Sequence, residues 1–185
     1  MALLKRTTTA MVAAVLLAVL WPWTAQAEVA SEYDVKAAFL YNFTKFVDWP
    51  PSAFADERST FKICVLGQDP FGKTLEELAK GGEAGRNLTV LRVDEMSRPA
   101  GCQILFISRS ERARMPQILG QLRDAPVLTV ADTDGFLDHG GIINFTLEKS
   151  KVRFEINHQA AERAGIKISS KLLRLASHVK GSPGP

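Results

Sequence analysis

The chain has 185 residues, 46% of them hydrophobic and 23% charged, with a formal net charge of +3 at pH 7. That is the length of one ordinary domain with a core of its own. No basic surface for nucleic acid or anionic membrane follows from that charge balance, and no repeat or low-complexity segment interrupts the chain.

Lys5 and Arg6 precede an uncharged apolar run from Met11 to Trp23, and Ala25-Gln26-Ala27 has the small-x-small form of a cleavage site. Residues 1–27 therefore read as a secretory signal peptide. The alternative, an uncleaved anchor, needs a longer run, about 20 apolar residues. Cleavage near Glu28 removes two basic residues and no acidic ones, leaving a mature charge of about +1. No second apolar span follows, so a soluble protein outside the cytoplasm is expected.

From Ser31 to Val47 the spacing predicts a helix. Ser31 is its N-cap with Asp34 three residues on, and Val35, Ala38, Phe39, Asn42, Phe43 and Phe46 form its inner stripe. Asp48-Trp49-Pro50-Pro51 ends it, and packing on a sheet suits the aromatic stripe better than a partner surface. A strand at Phe61–Leu66 turns through Gly67-Gln68-Asp69-Pro70 into a helix from Phe71 to Ala79. This is no phosphate loop, because neither G-x-G-x-x-G nor a complete G-K-[ST] box is present. Strands follow at Leu88–Val93 and Cys102–Ile107, separated by irregular residues 96–101. Met115, Ile118, Leu119 and Leu122 then share one helix face, with Pro116 in the first turns. A short apolar strand, Val127–Val130, stops at Asp132, Asp134 and Gly135. This alternation is the pattern of an α/β domain with a parallel core and right-handed crossovers.

After Gly140-Gly141, the inward residues Ile143, Phe145 and Leu147, then Val152, Phe154 and Ile156, alternate with polar ones across Lys149-Ser150. That is an antiparallel hairpin with one face buried, and it makes the sheet mixed. A short helix, His158–Ala164, ends at Gly165, and Ile166–Val179 supplies a last apolar stripe whose helix Ser169 or Ser170 caps. Lys167, Lys171 and Arg174 flank a candidate anion site there, with a solvated basic face as the plainer reading. One domain over residues 28–180 and a disordered tail at 181–185 complete the organisation.

Chemistry is sparse. Asp132, Asp134, Asp138 and His139 share a loop, but turn and cap roles account for the aspartates better than a metal does. His139, His158 and His178 lack ligand spacing, and no nucleophile elbow occurs, so no metal or cofactor is expected. Cys64 and Cys102, both beyond the export signal, read as a disulfide, with two free buried thiols as the alternative.

Tyr33 to Pro50, with Lys36-Ala37-Ala38-Phe39-Leu40-Tyr41-Asn42-Phe43-Thr44-Lys45-Phe46-Val47 at its centre, resembles a segment of the YfiR-like family of exported bacterial proteins. So do Ile63–Gly67, Cys102–Ile107, Gly141–Phe145, Phe154–Asn157 and Gly165–Leu173, and the resemblance spans nearly the whole mature chain. It implies a three-layer α/β/α sandwich around a mixed, mostly parallel sheet with a C-terminal antiparallel hairpin. It also implies a periplasmic, non-enzymatic homodimer that binds the periplasmic sensor domain of an inner-membrane diguanylate cyclase. Binding would inhibit the cyclase, lowering cyclic di-GMP and biofilm formation. Cys64 and Cys102 fit one family disulfide, while the second has no counterpart, since residues 144–152 hold no cysteine. Glu155, Lys167, Ser169, Ser170 and Lys171 are the candidate partner or ligand contacts. A periplasmic small-ligand binding protein, or an adaptor for another membrane sensor such as a histidine kinase, is the alternative. Its ligand would lie in the loops Gly67–Phe71 and Asp132–Gly135.

Overall fold

A computed structural model describes residues 24–56, 59–81, 87–94 and 101–181, with side chains of the first helix described from residue 32. The signal peptide expected over 1–27 lies mostly outside these residues, as do parts of the loops at 81–86 and 96–101 and the tail beyond 181. The chain divides after Ser31, and the unit Glu32–Pro185 carries the sheet.

In chain order the elements are α1 (Thr24–Phe46), β1 (Val47–Asp48), β2 (Phe61–Leu66), α2 (Thr74–Lys80), β3 (Leu88–Val93), β4 (Ile104–Ile107) and α3 (Met115–Gln121). Then come β5 (Leu128–Ala131), β6 (Ile143–Glu148), β7 (Lys151–Asn157), α4 (His158–Arg163), β8 (Lys167–Ile168), α5 (Ser170–Leu175) and β9 (His178–Lys180). Seven strands form one mixed sheet in the order β3-β2-β4-β5-β6-β7-β9, in which only the β6–β7 pair is antiparallel. The parallel core thus reaches β6, which pairs parallel with β5 before turning back as the hairpin. Lys149 and Ser150 make that turn with φ of 51° and 60°, the left-handed pair that matches strand twist in a two-residue hairpin.

Alternation divides the sheet's side chains between two cores. Ile63, Val65, Ile104, Phe106, Leu128, Val130, Ile143, Phe145, Phe154 and Ile156 pack with Ala37, Leu40 and Phe43 of α1, Leu75 of α2 and Leu172 of α5. Cys64, Leu66, Leu105, Ile107 and Ala131 face the other way, against Met115, Ile118, Leu119 and Leu122 and against Phe136 and Leu137 of the loop after β5. Helices thus lie on both faces, which gives the three layers. Phe43 stacks on Phe145 at 6.0 Å and meets Phe154 edge-on at 5.6 Å, so the aromatic stripe of α1 is core.

Several local expectations shift. Ser31 lies inside α1 and does not cap it, because the preceding residues continue the helix. The stripe of α1 is turned by about one residue: Val35 is 42% exposed and Asn42 is exposed, whereas Lys36, Ala37, Leu40, Phe43 and Val47 are buried. α2 begins at Thr74, since Asp69 accepts from the Phe71 amide at 2.8 Å and Gly72 sits at φ +56°, a turn no helix includes. β4 begins at Ile104, leaving Cys102 in the loop; at Gln103 the side chain takes the Lys62 amide at 2.8 Å while the backbone amide donates to the Lys62 carbonyl at 3.0 Å. The strand predicted at Val127–Val130 runs one residue later, as Leu128–Ala131. The final stripe resolves into β8, a six-residue helix and β9, with β1 and β8 pairing antiparallel through Val47 and Ile168. The disulfide expectation holds: Cys64 and Cys102 are joined, with Cα atoms 5.9 Å apart.

Candidate functional site

The carboxyl ends of β4 and β5 and residues 32–36 of α1 converge on a buried ionic centre. Asp132 leaves β5 at its carboxyl end with its side chain 1% exposed, and the adjoining Thr133 amide is pinned by Asn144 Oδ1 at 3.1 Å. Asp132 Oδ2 accepts from Lys36 Nζ at 2.6 Å and from Tyr33 Oη at 2.8 Å, and Arg109 Nη2 lies 3.2 Å away. Arg109 Nε also donates to the Asp132 carbonyl at 3.1 Å. Lys36, itself 1% exposed, pairs with Glu32 one turn earlier and sits 4.3 Å from the centre of the Tyr33 ring. Glu32 and Arg109 form the rim, with side chains 17% and 59% exposed. Asp132 Oδ1 is buried and has no hydrogen-bond partner among the described residues.

Two cations and two carboxylates balance in charge. Burial, then the hydrogen bond to Asp132, holds the Tyr33 phenol protonated well above the usual tyrosine range, so it remains a donor. Taking Lys36 and Asp132 out of water is costly unless their geometry is good and the other polar atoms find partners. The arrangement fastens α1 to the carboxyl ends of the parallel strands, the end of an open α/β sheet where binding sites occur.

The neighbouring crevice is filled by the chain itself. With β3 on one side of β2 and β4 on the other, the strand order reverses at β2–β4, where doubly wound sheets open a ligand crevice. Here Gly67 turns at φ +84°, and a Cβ on it would lie 2.8 Å from Glu111 Cγ. The Gln68 amide donates to Ser110 Oγ at 2.9 Å, and Glu111 is 8% exposed. Ser110 and Glu111 occupy the switch point.

The five residues expected as contacts fall in two places. Ser169 caps α5, its Oγ accepting from the Leu172 amide at 3.3 Å, while Ser170 opens that helix. Lys167 is exposed on β8 opposite Asp48, and the Lys171 ammonium lies 5.1 Å from the Phe46 ring centre. Glu155 alternates with Phe154 and Ile156, which share a core with Ile168 and Leu172, so Glu155 belongs to the opposite face of the sheet. In the acidic loop, Asp134 and His139 are exposed, and Asp138 pairs with Lys180 at 2.6 Å, which holds its carboxyl below the usual aspartate range. The turn role expected of Asp132 is a misreading: it is the buried counter-ion of Lys36. Glu32, Tyr33, Lys36 and Arg109 escape a stripe reading that takes any lysine as outward. The signal available was Glu32 and Lys36 at i and i+4, with Lys36 in phase with Leu40 and Phe43. No group of three or more His, Cys, Asp or Glu residues able to hold a metal occurs among the described residues.

Sheet order and a polar centre at the carboxyl strand ends define a doubly wound α/β domain. Two solved structures share that fold: a conserved domain protein from Vibrio cholerae O1 biovar El Tor (TM-score 0.54, 12% identity, 80% of this chain) and an ABC domain from Streptococcus pneumonia solved in complex with L-Trp (TM-score 0.51, 12% identity, 82% of this chain). The chain spans 60% of the length of each. Within this class the chain belongs to the YfiR/HmsC-like family, whose model matches residues 33–177, from Tyr33 of the ionic centre to the residue before β9.

Proposed function

We propose that this protein is an exported regulator that acts by binding a membrane protein's sensor domain, in the first place the periplasmic domain of a diguanylate cyclase, and holding it inactive. The observation that carries the reading is membership of the YfiR/HmsC-like family across residues 33–177. Supporting it, the switch-point crevice is filled by Ser110 and Glu111, which turns the binding role from a small ligand there toward a protein partner. The Cys64–Cys102 bond suits an oxidising compartment, and no helix of the described residues is long and apolar enough to cross a membrane. Action by binding requires no bond-making: a body that prefers one conformation of the sensor domain shifts its equilibrium by the difference in affinity.

The test has two parts. Deleting the gene is expected to raise cellular cyclic di-GMP, and the purified chain from residue 28 is expected to bind the isolated sensor domain. Unchanged cyclic di-GMP together with no binding overturns the reading.

A further inference from the structure

We propose that the arginine-bearing turn after β4 is the surface on which the partner docks, and that the partner offers an acidic segment there. This rests on the protein-binding function proposed above and names its surface. Arg109, Arg112 and Arg114 project within six residues, around the 3-10 turn Arg109–Glu111. Their counter-carboxylates lie beneath them: the Asp132 side chain is 1% exposed and that of Glu111 is 10%, against 59% for Arg109 and 51% for Arg114. Solvent therefore meets three guanidinium groups with the compensating charge buried behind two of them. Arg112 is exposed and forms no ion pair among the described residues. The mature chain is close to charge balance, so the positive face is local.

The turn is also held rigidly. Ser108 caps it through the Ser110 amide, the Glu111 amide donates to the Ser108 carbonyl at 2.9 Å, and Ser110 Oγ takes the Gln68 amide at 2.9 Å. Arg114 Nε donates to the Glu111 carboxylate at 2.7 Å. Arg109 and Arg114, held by Asp132 and Glu111, lose little freedom on binding, and the planar fork of an arginine matches a carboxylate in bidentate geometry. Arg109 further connects the surface to the interior, since the same guanidinium holds Asp132, which holds Lys36 of α1.

Two probes test the assignment: the cyclase sensor domain and a fluorescent hexaglutamate peptide, each titrated at low and high salt. Wild type is expected to bind both, more weakly as salt rises. R112E is expected to lose about tenfold or more in affinity for each, chiefly through slower association, while its melting temperature stays at the wild-type value. K151E, at the exposed turn end of the hairpin, is expected to match wild type. Sensor-domain binding by R112E equal to wild type overturns the docking surface, whatever the peptide does, as does a peptide that binds R112E and wild type equally. Failure of wild type to bind the sensor domain overturns the proposed function instead, and the peptide titration still decides whether the turn recognises acidic chains.

Discussion

Replacing Lys36 with methionine removes a buried cation while keeping the shape of its stem. At 2.6 Å from Asp132 Oδ2, its attraction is about 6 kcal/mol at an effective dielectric of about 20. Desolvating the two ions costs several kcal/mol each, so the intact pair contributes little net stability. In K36M the second half of that balance remains without the first: a carboxylate 1% exposed keeps only Tyr33 and the rim arginine. The expected loss is about 3–5 kcal/mol. For a domain of this size that lowers the melting temperature by roughly 6–20 °C. The double variant K36M/D132L removes both charges and is expected to return to within about 2 kcal/mol of wild type. Thermal and urea unfolding of the four proteins of the cycle, with D132L as the fourth, measure this. A K36M protein that melts with wild type, or a double variant no more stable than the worse single one, refutes the view that the pair acts as a unit.

Serine in place of both Cys64 and Cys102 reopens a loop with a sequence separation of 38; the expected cost is about 4 kcal/mol in the chain-entropy model, read as a fall in urea midpoint that reducing agent reproduces in wild type. Tyr33 ionises less readily folded than unfolded, so the unfolded chain holds fewer protons above its ordinary value near pH 10 and stability must fall as pH rises from there; a Y33F protein is expected to lose that part of the alkaline slope, and parallel slopes would contradict the burial argument. At Gly141, whose added Cβ would stand 2.6 Å from Cζ of the fully buried Phe136 ring, alanine is expected to cost about 1–3 kcal/mol by overpacking; a G141A melting curve overlying wild type would show that the ring yields freely.

Phe61–Leu66 and Ile104–Ile107 are short apolar runs buried on both faces, and the hairpin strands over 143–157 alternate apolar with polar residues, so all of these strands are legible from local pattern alone. The cysteines are legible for a similar reason, since two thiols in one short chain leave a single pairing. The ionic centre is not. Reading α1 by hydrophobicity assigns Lys36 to the outside and rotates the helix by about one residue, which brings Val35 and Asn42 inward where the structure has them exposed. What overrides hydrophobicity is a partner 96 residues away, Asp132, which looks like ordinary loop punctuation until the sheet places it under the helix. Burial of a charge is a property of a pair, and pairing at that separation is invisible to any local window. The β4 start is hidden likewise, because the Lys62 amide is taken by the Gln103 side chain and not by a backbone carbonyl.

The β1–β8 ladder has a consequence for the timing of assembly. Val47 finds Ile168, and Tyr33 finds Asp132 at a separation of 99 residues, so although Tyr33 and Asp34 meet Phe71 and Thr74 earlier, the ionic centre and the β1–β8 ladder close only once β5 and then β8 have been made. Contacts so remote in sequence are slow to close. Until then the helix displays Phe39, Phe43 and a lysine paired only with Glu32 to its surroundings, the kind of surface that a holdase recognises. Delivery of this protein in working form should depend on escort of its amino-terminal helix.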